Sequence, residues 1–128
     1  MDEADQQAMG MKIRREVLGD EYVARARKNT SAFTEDFQDL ITRYAWGEIW
    51  SRPGLSRHTR SLLTLAMTVA GNHQEEFRLH VGAAANNGVT MDEIKEVLLQ
   101  CAIYCGVPAA NSAFRAAAEV LAEAEGGS

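Results

Sequence analysis

Ser56-Arg-His-Thr-Arg-Ser-Leu-Leu-Thr-Leu-Ala-Met-Thr-Val-Ala-Gly71 is the stretch whose reading decides the fold. Ser56 is a good helix cap, and the glycine at the far end is a natural stop. Between them, Leu62, Leu63, Leu65, Ala66, Met67, Val69 and Ala70 place apolar groups on nearly every side of a helix. A helix of that kind is buried all round. A chain of 128 residues offers few neighbours to surround it. Subunit contacts are therefore expected to complete its burial. The uncharged run from Ser61 to Gln74 contains Thr64, Thr68, Asn72, His73 and Gln74, which makes it too short and too polar to span a bilayer.

Upstream of this helix the signals are again helical. Met11 to Leu18 reads as a helix stopped by Gly19. Thr30 or Ser31 can cap a helix carrying Phe33, Phe37, Leu40, Ile41, Tyr44 and Ala45 at spacings of three and four. Gly47 and then Ser51-Arg-Pro-Gly54 interrupt that pattern and predict a loop. Downstream, a helix from about His73 to Asn86 ends at Asn87-Gly88. Thr90-Met-Asp-Glu93 has the form of a capping box for a helix bearing Ile94, Val97, Leu98, Cys101, Ile103 and Tyr104. Gly106 ends it, and Pro108 suits the first turn of a last helix, Ala109 to Ala124. Alternating strand patterns are nearly absent. The expected architecture is an all-α, single-domain helical bundle of about six or seven helices over residues 1–128, frayed at 1–9 and 125–128.

Composition narrows the function. Apolar residues make up 46% of the chain, enough for a real core. The opening segment is acidic and amidic rather than a basic region followed by an apolar run, so no secretory signal is read and the cytoplasm is the expected location. A net charge of −5 with one small basic cluster (Arg52, Arg57, His58, Arg60) argues against nucleic acid as a partner. It leaves a small anionic substrate open.

Three groups could carry chemistry. His73, Glu76 and His80 share one helical face. A carboxylate one turn before a histidine can orient the ring and raise its pKa, as a general acid requires. The competing reading is a cap at His73 and a solvated Glu76–His80 pair. A metal at these residues is not expected, because one helix face rarely completes a site. The second group is Trp46-Gly-Glu48-Ile-Trp50-Ser-Arg52, followed by Arg57 and Arg60. Arginine forks suit carboxylates, but the tryptophans could equally be core anchors and the arginines solvated or paired with Glu48. The third is Cys101-Ala-Ile-Tyr-Cys105, whose spacing and place at a helix end fit packed thiols better than a redox pair. Cys105 could still line a pocket.

Four segments carry a resemblance: Arg43 to Leu55, Arg57 to Met67, Leu79 to Thr90, and Glu93 to Asn111. Together, in one register from about Gly10 to Leu121, they resemble the carboxymuconolactone decarboxylase family, of the alkylhydroperoxidase-D-like superfamily. The resemblance implies an all-helical fold, a homo-oligomer that is usually a hexamer, and no cofactor. It implies decarboxylation of 4-carboxymuconolactone to 3-oxoadipate enol-lactone in the protocatechuate branch of the β-ketoadipate pathway. Under that reading His80 is the proton donor tuned by Glu76, with Glu48 as a second proton carrier or the orienter of an arginine. Arg52 or Arg60 holds a carboxylate, and Trp50, His73 and Cys105 line the substrate site. The alternatives are a paralogue acting on another lactone or small acid, a thiol-dependent peroxidase, or a non-catalytic interaction module. In the superfamily's thiol peroxidases a Cys-x-x-Cys-x-x-x-His motif does the chemistry. Counted back from His80, its cysteine positions fall on His73 and Glu76, so both thiols are missing.

Overall fold

The computed structural model describes residues 2–126. Among these residues there are seven α-helices, one π-helical segment, one 3-10 turn and no strand. The chain packs as two compact units, Met1–Ser56 and Arg57–Ser128.

In the first unit α1 spans Glu3–Leu18. It starts earlier than the sequence suggests because the Asp2 carboxylate accepts the Asp5 N–H at 2.8 Å, so the stretch expected to fray from Glu3 to Met9 is helical. Met1, Gly127 and Ser128 lie outside the described residues. Gly19, at φ 97°, ends α1 and opens α2, Asp20–Lys28. The Thr30 hydroxyl donates back to the Ala26 carbonyl at 2.9 Å, so Thr30 closes α2 rather than capping the next helix. That helix, α3, is short, Glu35–Ile41, and runs on as a π-helix over Thr42–Ile49.

Gly47 was expected to break this pattern; it is instead a packing residue. A Cβ on Gly47 would lie 2.6 Å from the Gln6 carbonyl oxygen, and one on Gly10 would lie 2.0 Å from that of Thr42. Two glycines therefore let α1 and the π-helix touch backbone to backbone. Arg14 is buried in this seam and donates to Thr42 Oγ1 at 3.2 Å and Gln38 Oε1 at 3.0 Å. The apolar residues Phe33, Phe37, Leu40 and Tyr44, spaced as a core face, are exposed, Phe33 at 95%.

The second unit is held by side chains. Helix α4 spans Arg57–Ala70, α5 Gln74–Ala83, then a 3-10 turn covers Ala84–Asn87. Gly88 closes that turn at φ 76°, and α6 follows over Met91–Tyr104 with the Thr90–Glu93 capping box formed in both directions. Helix α7, Val107–Gly126, carries Pro108 in its first turn. Leu65, Phe77, Ile94 and Leu98 are almost wholly buried at its centre, with Ala113, Ala116 and Ala117 letting α7 approach. Burying such large apolar side chains stabilises the unit by about 1.5–3 kcal/mol each. The expectation that α4 is buried on all sides does not hold within one chain. Ser61, Leu65, Thr68 and Val69 face inward, while Leu63 and Met67 are exposed, Met67 at 64%.

Candidate active site

Helix α5 presents the polar stripe the sequence suggests, and it runs from solvent into the interior. His73 holds the N-cap position, exposed, and its carbonyl accepts the Phe77 N–H at 2.9 Å. Its side chain caps nothing; the ring covers Gly71. Glu76 is exposed one turn further on. His80, a second turn along, is buried, only 5% exposed. Phe77 and Val81, both buried, anchor this face of the helix beside it.

The Glu76–His80 pairing differs from the sequence expectation. Glu76 Oε2 stands 3.9 Å from His80 Nε2, beyond hydrogen-bond range, and the carboxylate is screened by water. Burial wins: loss of hydration lowers the His80 pKa from 6.5 to about 4. The imidazole is thus neutral near pH 7. A neutral ring has one N–H to donate and one nitrogen to accept.

The other candidates in this unit are spread around α4 and α6. Arg60 is half-buried on α4 and Arg57 is exposed at its start. Cys105 lines an open groove of about 700 Å³ with Leu62, Leu63, Ala66, Met67 and Val97; His80 and Glu76 are not among its lining residues. Within the first unit, Trp46 and Trp50 stack at 5.1 Å between ring centroids, Trp46 buried and Trp50 half-buried. Glu48 points to solvent from the π-helix, and Arg52 is exposed on the turn after it, its N–H bonded to the Ile49 carbonyl at 3.1 Å. Among the described residues no cluster of three or more His, Cys, Asp or Glu side chains is placed to hold a metal ion.

One arrangement escaped sequence reading. His58 Nε2 lies 2.7 Å from Glu93 Oε2, while Glu93 Oε1 accepts from the Thr90 N–H at 3.0 Å. The backbone bond from Thr90 is the main reason the Glu93 carboxyl is held below its usual range, with His58 adding to it. The capping box was legible; that its carboxylate would also reach across to α4 was not.

The sequence profile of the carboxymuconolactone decarboxylase family matches residues 35–119. The chain belongs to that family. Family membership accounts for the all-helical architecture. The chain is 49% identical over 121 residues to the 4-carboxymuconolactone decarboxylase of Acinetobacter baylyi, covering 94% of this chain and 90% of that protein. It is 50% identical over 99 residues to the nitrosuccinic acid decarboxylase of Metarhizium robertsii, covering 77% of this chain and 69% of that one. A 4-carboxymuconolactone decarboxylase sequence from Pseudomonas putida matches in full, 44% identical over 48 residues, or 38% of this chain. Among the described residues of this family member, no helix is long and apolar enough to cross a membrane.

Proposed function

We propose that this protein decarboxylates 4-carboxymuconolactone, giving CO₂ and 3-oxoadipate enol-lactone, in the protocatechuate branch of the β-ketoadipate pathway. The observation that carries this reading is 49% identity, over 94% of the chain, to a protein of that activity.

The chemistry fits residues of modest power. The substrate is a butenolide with two carboxylates, one on the ring carbon bearing oxygen and one on an acetate arm. As CO₂ leaves the ring carbon, its electron pair moves through the ring double bond into the lactone carbonyl. The substrate is its own electron sink, so no cofactor is required to hold that pair. The protein's tasks are to grip the acetate carboxylate, to stabilise the developing enolate oxygen and to deliver a proton to carbon. We assign the grip to Arg60, whose planar fork suits a carboxylate and which belongs to the same unit as His80. We assign the proton to His80. The free protein keeps this ring neutral by burial. A dianionic substrate brought against it favours the imidazolium, so binding and proton uptake are coupled.

A second substrate class is favoured by the match to nitrosuccinic acid decarboxylase. Nitrosuccinic acid also has a carboxymethyl arm on the carbon that bears the departing carboxyl. Its nitro group takes the electron pair in place of the lactone. We further place the protein in the cytoplasm as a homo-oligomer, a hexamer, for which exposed Phe33, Phe37, Leu40 and Tyr44 offer apolar surface.

The test is CO₂ release by the purified protein from each compound, with a strong chelator and no added cofactor. Turnover of carboxymuconolactone is the expected result, with the higher kcat/KM of the two. A preference for nitrosuccinic acid moves the assignment to the second class. Turnover of neither compound refutes both, and loss of activity to chelator with rescue by one metal refutes the cofactor-free chemistry.

A further inference from the structure

The last turn of α6 carries a thiol pair to which the proposed decarboxylation assigns no chemical step. Cys101 and Cys105 are both free thiols, one helical turn apart, the spacing at which two side chains stand side by side, about 5–6 Å between Cβ atoms. The turn between them is closed: the Cys105 N–H donates to the Cys101 carbonyl at 2.7 Å, which fixes both Cα–Cβ directions. Cys101 is buried and Cys105 half-buried, and both line the open groove with Leu62, Ala66, Val97 and Tyr104. The wall of that groove is almost entirely apolar.

The environment argues against thiolate chemistry here. Burial pushes the Cys101 thiol pKa up, and the adjacent Cys105 thiol, in contact by hydrogen bonding, pushes it further. Cys101 therefore keeps its proton near pH 7. Its position at a helix C-terminus disfavours negative charge as well. Zinc is a poor fit, since a structural zinc ion needs four donors and the pair supplies two. A linear two-coordinate ion would need its sulfurs splayed to opposite sides, which two side chains of one turn cannot provide. Pyramidal arsenic(III) takes two sulfurs on the same side and keeps its third substituent outward.

We propose that Cys101 and Cys105 form a chelating site for monosubstituted trivalent arsenicals, R–As(OH)₂, with the organic substituent lying in the apolar groove. Two As–O bonds break and two As–S bonds form. Each hydroxyl leaves with a thiol proton as water, arsenic stays in oxidation state three, and no oxidant is consumed. The half-buried Cys105 is the entry thiol, and Cys101 behind it closes the chelate. The product is neutral, which suits an apolar wall better than an ion would.

The probe is phenylarsine oxide, which hydrates to R–As(OH)₂, added in equimolar amount to the native full-length protein. Intact mass spectrometry and thiol titration are the readouts. The expected result is one phenylarsenic per chain with both thiols lost, reversed by a small dithiol and not by a monothiol. Cys101→Ser and Cys105→Ser, each folded by circular dichroism, should bind about a hundred- to ten-thousand-fold more weakly, the usual range when a second linked contact is removed. Methylarsonous acid should bind wild type more weakly than the phenyl compound. The proposal is overturned if the native protein forms no adduct, if one thiol stays titratable in the adduct, or if a single serine variant binds as tightly as wild type. Should either variant fail to fold, the thiol count and the phenyl-to-methyl comparison on wild type decide it.

Discussion

Arg14 and His80 are equally buried, each 5% exposed, one in each unit, and the two meet burial in opposite ways. Arginine cannot give up its proton in a protein, so the fold must bring acceptors to it. Helix α3 and the π-helix do so, with Gln38 Oε1 at 3.0 Å and Thr42 Oγ1 at 3.2 Å. Histidine can discharge, and His80 does, its pKa falling to about 4. One buried charge is kept by hydrogen bonding and serves as a structural tie. The other is surrendered, leaving a ring that can take up a proton when an anion arrives. Exposure alone does not tell these two residues apart; the ability to lose the proton does.

The largest effect should come from removing the ring that discharges. His80→Gln should lower kcat on carboxymuconolactone by about a hundred- to ten-thousand-fold, the usual worth of a general acid, with an unchanged circular dichroism spectrum. Near wild-type kcat in a folded variant would mean that His80 is a packing residue and that the contrast with Arg14 has no catalytic meaning. The same variant tests the discharge itself. The folded pKa, about 4, lies below the ordinary 6.5, so the unfolded chain takes the proton first as pH falls. Stability is present above about pH 6.5 and is lost progressively down to about pH 4, by on the order of 3 kcal/mol. Urea titrations of His80→Gln should lack that component.

Replacing the tie comes next. Arg14→Met fills similar space but strands two acceptors, and should cost about 3 kcal/mol, from hydrogen bonds to a charged group worth about 1.5–3 kcal/mol each. That loss should be the same at pH 5 and pH 7, because arginine stays charged throughout. A loss that depends on pH over this window would break the comparison from the other side. The smallest effect belongs to Glu76→Gln. An exposed carboxylate 3.9 Å from the ring contributes little against water, so kcat should change less than about fivefold. A larger drop would show that Glu76 moves onto His80 when substrate binds.

Much of this was readable from local chemistry. The stops at Gly19 and Gly88, the Thr90–Glu93 box and Pro108 in the first turn of α7 all act within one helical turn, and each appears in the structure. What stayed hidden depends on contacts far apart in sequence. Gly47 looked like a break because nothing near it says that the Gln6 backbone will press against it. The stripe Phe33, Phe37, Leu40 and Tyr44 has the spacing of a core face, yet spacing cannot name the partner, and within the chain those residues are exposed. Helix α2 was missed because only Val23 is buried in it, too little apolar repeat to read. In the site, the polar stripe on α5 was legible as a periodicity. Its decisive property, the depth of His80 relative to Glu76, was not, because depth is set by Phe77, Val81 and the helices packed over them. Arg14 drew no notice in the sequence because its acceptors, Gln38 and Thr42, lie far along the chain.

The stacked indoles of the π-helix have a consequence for anyone watching the molecule with light. Trp46 and Trp50 are the chain's two tryptophans, both lie in Met1–Ser56, and their rings stand 5.1 Å apart at an interplanar angle of 28°. Emission excited at the indole band therefore reports on that unit alone. The pair's coupled transitions should give a dichroic couplet that vanishes when the π-turn opens. Helical ellipticity reports both units. Melting curves from the two signals coincide only if the units melt in one transition, so their separation measures that cooperativity without a label or a mutation.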